Sequence, residues 1–182
     1  MKRNSFIISM FLLPILRAFG KSKSSPLAES CKTQRDSEGP YYKEGAPLRT
    51  VIESEGEPVT IQGVILKSSD CRTPVADAVV DIWHCDSMGR YDNDGFKCRG
   101  TVKSDKNGKY SFTTIFPPSY GSRPRHIHFK VRAEGFSELT SQIYFKVDKN
   151  LQNDFAAYAS VARVISLNKV KNILEGQFDI YL

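Results

Sequence analysis

Two of the chain's three histidines lie one residue apart, at His126 and His128. The surrounding segment HIHFKVRA is rich in β-branched and aromatic residues, which is typical of a β-strand. Successive side chains of a strand point to opposite faces, so both imidazoles are predicted on one face, about 6.5 Å apart at Cα. Ile127 and Phe129 would take the other face. Two imidazoles at this spacing could bind one metal ion, although histidine pairs on exposed strands are also common without a metal.

Two tyrosines and an arginine lie in segments that could bring them beside the histidines. A Pro- and Gly-rich loop, FPPSYGSRPR, carries Tyr120 and Arg123 shortly before His126. An earlier apolar strand, DIW, leads into the turn HCDSMGR, which presents Tyr91. Considered singly, either tyrosine could be a packed aromatic with a hydrogen-bonded hydroxyl, and Arg123 could form a surface salt bridge. Only their combination with the histidines indicates a site.

Short strand-like segments separated by turn residues recur from residue 58 onward and predict an all-β domain, an antiparallel β-sandwich or barrel. The turn sequence DKNG at residues 105–108 is predicted to close a hairpin. One short helix is predicted from Leu151 to about Ala162. A single domain is predicted over residues 39–182. The predicted strands are VTIQGVILK, DAVVDIW, KYSFTTI, HIHFKVRA, LTSQIYFKV and the final GQFDIYL.

Residues 1–20 are predicted to be a cleavable signal peptide. Two basic residues precede an apolar run over residues 6–16, and small residues at positions 18 and 20 suit cleavage. Because the run is shorter than the roughly 20 residues that span a membrane, the mature chain is expected to be secreted or periplasmic, without a membrane anchor. Residues 21–38 are polar and lack periodicity, which predicts a flexible lead-in.

The positive charge of the chain does not indicate a nucleic-acid partner. Half of the formal charge of +6 comes from residues 1–20, which contain three basic and no acidic residues. The remaining surplus is small and scattered, so nucleic acid is not expected as a partner.

Four cysteines, Cys31, Cys71, Cys85 and Cys98, form an even set in an apparently exported chain. Exported proteins keep disulfides, so one or two structural bridges are predicted, with three connectivities if all four pair. No two cysteines have C-x-x-C spacing, which disfavours a zinc site. The sequence predicts neither the pairing nor the oligomeric state.

Taken together, several segments resemble the intradiol ring-cleavage dioxygenases, the family of protocatechuate 3,4-dioxygenase and catechol 1,2-dioxygenase. The resemblance is closer to the protocatechuate type, and especially to its small secreted relatives, than to the catechol type. The helical N-terminal dimerisation region of the catechol enzymes has no counterpart here. It implies the family's β-sandwich fold. The segments that carry it are, in order, GPYYKEGAPLR, PVADAVVDIWHCDSMGRY, RGTVKSDKNGKYSFTTIFP, RPRHIHFKV and LTSQIYF.

The resemblance implies a non-haem Fe³⁺ cofactor held by Tyr91, Tyr120, His126 and His128. Phenolate is a hard anionic donor that favours ferric iron, and imidazole suits iron as well as zinc. The substrate would be a catechol-type aromatic that binds iron as a dianion, with Tyr120 leaving the metal and taking up a proton. With O₂ as co-substrate, the ring would open between its two hydroxyl-bearing carbons to a cis,cis-muconate-type dicarboxylate.

Further roles follow from the same resemblance. Arg123 matches an arginine that stabilises carbanion character on the substrate, and Gln142 matches a glutamine that hydrogen-bonds near the bound ring. Pro40, Tyr41 and Tyr42 match a pocket-lining segment, so either tyrosine could face the substrate, or either could simply be packed.

Two positions in these motifs are expected to matter for other reasons. His84 belongs to the family motif but is predicted to be a hydrogen-bonded core residue rather than a fifth ligand. Only Gly121 and Ser122 separate Tyr120 from Arg123, a shorter loop than in the well-known enzymes, which predicts a more open site.

Two alternatives of other classes fit parts of the sequence. PVADAVVDIW followed by SDKNGKYSF also resembles the carboxypeptidase-regulatory-like sandwiches, which would make the chain a non-catalytic secreted binding module. Such a module has no need of two tyrosines and an H-x-H pair. A zinc hydrolase would need a carboxylate base close to the histidines, and the sequence shows none next to them.

Overall fold

The chain folds into two β-sheets. The computed structural model describes residues 31–119, 121–152 and 163–182, and ten strands lie within those ranges. The first sheet has the order β3 (Arg99–Lys103), β2 (Val79–Trp83), β5 (His126–Arg132), β6 (Leu139–Phe145) and β7 (Val164–Ile165). The second is built around β1 (Pro58–Leu66), which pairs with β4 (Lys109–Ile115) on one edge and with β9 (Ile173–Gln177) and β10 (Ile180–Tyr181) on the other, while β8 (Leu167–Val170) lies outside β9.

One hydrophobic core lies between the two sheets. Ile61 of β1 and Phe112 of β4 belong to the same buried cluster as Ile82 of β2 and Ile127 and Phe129 of β5. Alternation along each strand supplies these apolar side chains to the inner faces. The predicted all-β sandwich is therefore confirmed, including the placement of Ile127 and Phe129 on the face opposite to the histidines.

The sheets are mixed rather than purely antiparallel. β1 pairs with β4 in antiparallel fashion but with β9 and β10 in parallel, and β6 pairs with β7 in parallel. The single strand that carries both His126 and His128, β5, is antiparallel to its neighbours on both sides. The parallel pairs involve β7, β9 and β10 of the C-terminal segment. The sequence analysis predicts only one strand there, GQFDIYL.

The predicted turn at residues 105–108 exists, but the hairpin that it was expected to close does not. Asp105 N–H donates to the Lys109 carbonyl at 2.9 Å, and its carboxylate accepts from the backbone N–H groups of Asn107 and Lys109 at 2.8 Å. The strands on either side pair in different sheets, β3 with β2 and β4 with β1. The turn therefore connects the two layers of the sandwich, which local turn chemistry alone does not distinguish from a hairpin.

Residues 31–48 form an irregular segment, here called the N-terminal strap, that runs from β10 of the second sheet across the first sheet. Thr33 N–H donates to the Tyr181 carbonyl at 3.1 Å, Asp36 N–H to the Thr140 carbonyl at 3.0 Å, and the Pro47 carbonyl accepts from Thr101 N–H at 2.9 Å. The structure thus differs from the predicted flexible lead-in over residues 31–38. Hydrogen bonds to distant strands, which the polar composition does not reveal, hold this part of the strap in place.

Other predictions meet the structure only in part. Lys149–Gln152 form a 3₁₀ helix, and the rest of the helix predicted from Leu151 lies outside the described residues, as does the predicted signal peptide. Within the described ranges, no helix is long and apolar enough to cross a membrane. A disulfide joins Cys31 of the strap to Cys71, while Cys85 and Cys98 are buried free thiols.

Replacing both Cys31 and Cys71 with serine is expected to lower the free energy of unfolding by about 4 kcal/mol. The bond spans a sequence separation of 40, and a loop of that length restores this much chain entropy to the unfolded state when it opens. Urea unfolding followed by circular dichroism measures the loss. Adding a reductant should destabilise the wild type by the same amount and leave the double variant unchanged; a wild type that is insensitive to reductant would contradict the prediction.

Candidate metal centre

The outer face of the first sheet is polar and yet buried. The strand register places one residue from each of four strands in a line across this face, which we call the site row. The strap covers this row: at Gly39, whose φ of +72° favours glycine, a Cβ atom would lie 3.5 Å from Cε1 of His128. The site row consists of Arg99, Trp83, His128 and Gln142, all within 2% of complete burial.

His126 has a fixed tautomer that leaves one nitrogen able to bind a metal. Its Nδ1 lies 2.7 Å from the Pro124 carbonyl, which can only accept, so Nδ1 carries the proton and Nε2 the lone pair. The Tyr91 hydroxyl lies 3.4 Å from that Nε2, and Nη1 of Arg123 lies 3.4 Å from it as well. Three of the residues singled out in the sequence therefore meet at one atom.

His128 lies beside His126 on the same face, as predicted from alternation. The two ring centroids are 4.9 Å apart with an interplanar angle of 81°. The ring also stacks on Trp83 at 4.9 Å and 8°. Burial lowers the pKa of His128 well below its ordinary value, and the neighbouring His126 and Arg123 lower it further. The imidazole is therefore neutral at neutral pH, as a metal ligand must be.

Tyr91 is presented by a well-defined turn after β2. The Asp86 carboxylate accepts from the backbone N–H groups of Met88 and Arg90, both at 2.9 Å, and Asp86 N–H donates to the Arg90 carbonyl at 2.7 Å. The Tyr91 ring then stacks on Tyr41 of the strap, with centroids 4.3 Å apart and an interplanar angle of 12°. The turn predicted from DSMG is confirmed, and Tyr41 lies against a candidate ligand.

Tyr120, the fourth ligand that the family resemblance implies, lies outside the described residues. The prediction that it binds the metal and accepts a proton therefore stays a prediction. The residues that follow it, Gly121 and Ser122, are exposed.

Gln142 contacts Arg123 and holds it in place. Its Oε1 accepts from Nη2 of Arg123 at 3.0 Å and lies 3.1 Å from the Tyr144 hydroxyl, while its Nε2 donates to the Ser37 carbonyl at 2.9 Å. These partners fix the orientation of the amide, because a flipped amide would set its N–H₂ against the Arg123 donor and its oxygen against the Ser37 carbonyl. Asp36 of the strap binds the Tyr144 hydroxyl at 3.1 Å and Arg163 at 2.5 Å. The glutamine is thus a link between the strap and Arg123.

Tyr42 makes the contacts expected of the packing alternative, and its substrate-facing role stays a prediction. Its hydroxyl donates to Oδ2 of Asp81 at 2.8 Å, and the Lys130 ammonium lies 3.6 Å from the ring centroid. Arg132 also pairs with Asp81, at 2.7 Å. The Tyr42 ring packs against Trp83. Of the predicted pocket segment, Pro40 is exposed and Tyr41 is the residue that reaches Tyr91.

His84 is a structural residue, as predicted. Its Nδ1 donates to the Cys85 carbonyl at 2.8 Å, and its Nε2 accepts from the Thr114 hydroxyl at 2.7 Å. Both nitrogens are therefore used by the protein itself. Burial lowers the pKa of His84 to about 4, so the ring is neutral in the fold.

The donor set fits an iron ion. Among the described residues, the buried side-chain nitrogens without a hydrogen-bond partner are Nε1 of Trp83, Nη2 of Arg99 and Nδ1 of His128, all in the site row. Unsatisfied buried polar atoms are rare in native proteins, and a functional role is one of their explanations. Across the described chain, no group of three or more His, Cys, Asp or Glu side chains could hold a metal, so a metal here depends on tyrosine oxygens. Two neutral imidazoles with phenolate oxygen are donors that iron accepts.

The β-sandwich carries His126 and His128 on one outer sheet face, with Tyr91 of a neighbouring loop beside them. Comparison with known proteins identifies the family. The sequence profile of that family, described as dioxygenase, matches residues 37–182. The chain therefore belongs to the intradiol ring-cleavage dioxygenases, as the sequence motifs predict.

Curated relatives are enzymes of the catechol type. A chlorocatechol 1,2-dioxygenase of Pseudomonas sp. (strain P51) is 36% identical, over 60% of this chain and 54% of that protein. Catechol 1,2-dioxygenase 2 of Acinetobacter lwoffii is 32% identical, over 68% of this chain and 55% of that protein. The chain thus spans about half the length of these relatives. Its resemblance to the protocatechuate type stays a prediction.

Solved structures share the fold. The dioxygenase domain of a dioxygenase and carbohydrate-binding protein fusion from Streptomyces sp. SirexAA-E has a TM-score of 0.75 and 33% identity, over 83% of this chain and 97% of that one. The 3-chlorocatechol 1,2-dioxygenase from Rhodococcus opacus 1CP has a TM-score of 0.74 and 26% identity, over 84% and 73%.

The stability of the metal-free protein should depend on pH through His84. Its pKa falls from 6.5 in the unfolded chain to about 4 in the fold, so the unfolded state binds more protons between these values. The stabilisation is complete above pH 6.5 and decreases by about 3 kcal/mol as the pH falls to 4. Urea unfolding of the wild type and of His84→Gln at several pH values tests this. The stability difference between them should shrink at acid pH; a pH-independent difference would contradict it.

Proposed function

We propose that this chain binds Fe³⁺ and catalyses the intradiol cleavage of catechol-type aromatics by O₂. The product is a cis,cis-muconate-type dicarboxylate, in which both oxygen atoms of O₂ are retained, so no external reductant is needed. The observation that carries the proposal is the meeting of the Tyr91 hydroxyl and the Arg123 guanidinium at Nε2 of His126, each 3.4 Å away. A non-catalytic binding module would have no use for this arrangement.

The residues that would hold iron are Tyr91, His126 and His128, with Tyr120 as the proposed fourth. Bound ferric iron supplies a Lewis acid that withdraws electron density from a catecholate, which makes the ring reactive towards O₂. The protein supplies neutral imidazoles, because burial disfavours the protonated form of His128. A catechol must lose two protons to bind as a dianion, and we propose that the Tyr120 oxygen accepts one of them and a hydroxide ion the other.

Arg123 places a fixed positive charge where negative charge would develop on the ring. One nitrogen of its guanidinium faces His126 and another is held by Gln142. Because Gln142 is completely buried and held by the strap and by Tyr144, the arginine is oriented before substrate binds. Preorganised charge of this kind stabilises a transition state without a reorganisation cost.

The substrate class follows from the relatives and from the site. The curated relatives are named for catechol and chlorocatechol, and a relative from Cupriavidus pinatubonensis, 30% identical, is named for 6-chlorohydroxyquinol. Tyr41, stacked on Tyr91, offers an aromatic wall that suits a planar ring. We propose simple and substituted catechols as substrates.

We also propose that the enzyme is exported. The signal-like pattern of residues 1–20 supports this. The disulfide between Cys31 and Cys71 supports it independently, because such bonds persist in oxidising compartments.

Iron-loaded wild-type protein is expected to be coloured by tyrosinate-to-iron charge transfer and to consume O₂ with a catechol, giving ring-opened product. His128→Ala should lose both iron and colour because it removes a ligand, whereas His84→Gln should keep them. Iron analysis, visible spectra and oxygen uptake with catechol, chlorocatechol, hydroxyquinol and protocatechuate measure this. A colourless protein with one iron per chain, or no uptake with any of the four, would refute the proposal.

Arg123→Ala is expected to keep iron and colour and to lose kcat on the order of 100-fold, the usual cost of removing one preorganised charge or donor. Arg72→Ala, an exposed arginine between β1 and β2, is the control and should turn over like the wild type. Steady-state kinetics on the iron-loaded proteins separates kcat from KM. Unchanged turnover in Arg123→Ala would remove this residue from the catalytic machinery.

A further inference from the structure

We infer that Arg99, which has no role in the proposal above, is a positioning residue that holds Tyr91 and Tyr41 in their stacked arrangement at the metal centre. The effect of this positioning on the iron centre rests on the proposed function, because Tyr91 is a proposed iron ligand. The stack itself is a property of the protein chain and can be tested without iron.

The guanidinium of Arg99 binds the backbone on both sides of the tyrosine stack. Its Nε donates to the Asp92 carbonyl, the residue after Tyr91, at 2.9 Å, and its Nη1 donates to the carbonyl of Tyr41 at 2.5 Å. One rigid group thereby joins two segments that lie 50 residues apart in sequence. Because the fork of a guanidinium has a fixed geometry, it sets the spacing between these carbonyls and hence between the two rings.

Arg99 comes from the most regular part of the structure. It lies in β3 directly opposite Trp83, at one end of the site row, and is only 2% exposed. The strand therefore supplies a rigid base, while the two tyrosines come from a loop and from the strap. An arginine anchored on a rigid strand can thus restrain the positions of two irregular segments.

The charge of Arg99 is unusual for a buried arginine. Within the described residues it has no ion pair with a carboxylate: the Asp92 side chain accepts instead from the backbone N–H groups of Gly95 and Lys97, at 2.7 and 2.9 Å. Asp92, Tyr91 and Cys98 are the titratable groups that interact electrostatically with it. A buried cation bound only to neutral carbonyls is costly. An anionic Tyr91 oxygen, as in a bound tyrosinate, would offset part of that cost.

A second cation keeps the strap on the same loop. The Lys43 ammonium donates to the Asp94 carbonyl at 2.5 Å and lies 4.7 Å from the Phe96 ring centroid. A substitution at Arg99 should therefore leave the strap docked while releasing the fixed spacing of Tyr41 and Tyr91. This makes a folded variant available for the test.

The test compares Arg99→Lys with Arg49→Lys. Arg49 is a matched control, because its guanidinium also binds backbone carbonyls, those of Phe96 and Arg99, but contacts neither tyrosine. In the iron-loaded proteins, Arg99→Lys is expected to shift the tyrosinate charge-transfer band and to lower kcat by about ten-fold, within the range for residues that orient metal ligands. Arg49→Lys should keep the band and stay within two-fold in kcat. An unshifted band in Arg99→Lys, or an equal shift in the control, would overturn the inference.

A measurement on the metal-free protein separates this inference from the proposed function. Stacked tyrosines contribute to near-ultraviolet circular dichroism, so Arg99→Lys and Tyr41→Leu should each remove the same component. In the Tyr41→Leu background, Arg99→Lys should then remove nothing more; an additive loss would refute the positioning role. If the iron-loaded wild type lacks the visible band, the iron proposal fails. The circular dichroism of the metal-free variants still decides the role of Arg99. Should Arg99→Lys not fold, Tyr41→Leu must itself shift the band, and an unshifted band would refute the inference.

Discussion

The burial of a polar sheet face is the constraint on which the rest of this structure depends. The outer face of a two-layer sandwich normally meets water, but here the strap lies across it. Every charged or polar side chain beneath must then find a partner. Asp81 does so with Tyr42, Thr101 and Arg132. In the part of the chain that the structure describes, the buried side-chain atoms without a partner are confined to the site row. The unsatisfied hydrogen-bonding groups are therefore concentrated at the candidate site, where a bound ligand could contact them.

The basic residues of this face divide into two groups by the kind of partner they have. Arg132 and Arg163 pair with the carboxylates of Asp81 and Asp36. The first pair joins β5 to β2, and the second holds the strap, to which Asp36 belongs. Arg99 instead binds backbone carbonyls. A carboxylate at that position would neutralise the cation and add negative charge beside Tyr91. Neutral partners leave the positive charge of Arg99 uncompensated, so that it would favour the anionic form of Tyr91 in the proposed iron centre.

Alternation along a strand was sufficient to predict which residues share the site face, because period two is a property of one strand. It places His126 with His128. It also places Tyr144 on the same face as Gln142, although the sequence motifs did not single out Tyr144. It could not predict that Arg99 lies in line with His128, because that alignment depends on the register of β3 and β5 against β2. Nor could it predict the strap, whose polar sequence resembles a flexible segment and whose partners lie about 100 residues away.

The three proposed iron ligands among the described residues differ in how the chain immobilises them, and the difference follows from their origins. His126 and His128 are positioned by β5, which is paired on both sides. A one-residue slip in the register of β5 would bring Ile127 and Phe129 to the site face. The core excludes this slip, because both apolar side chains are buried in it. Tyr91 lies on a loop, where backbone geometry alone fixes little. The Asp86 turn, the stack on Tyr41 and the Arg99 contacts supply the missing restraint. A centre that joins strand and loop donors therefore needs a rigid group, such as Arg99, that reaches from one to the other.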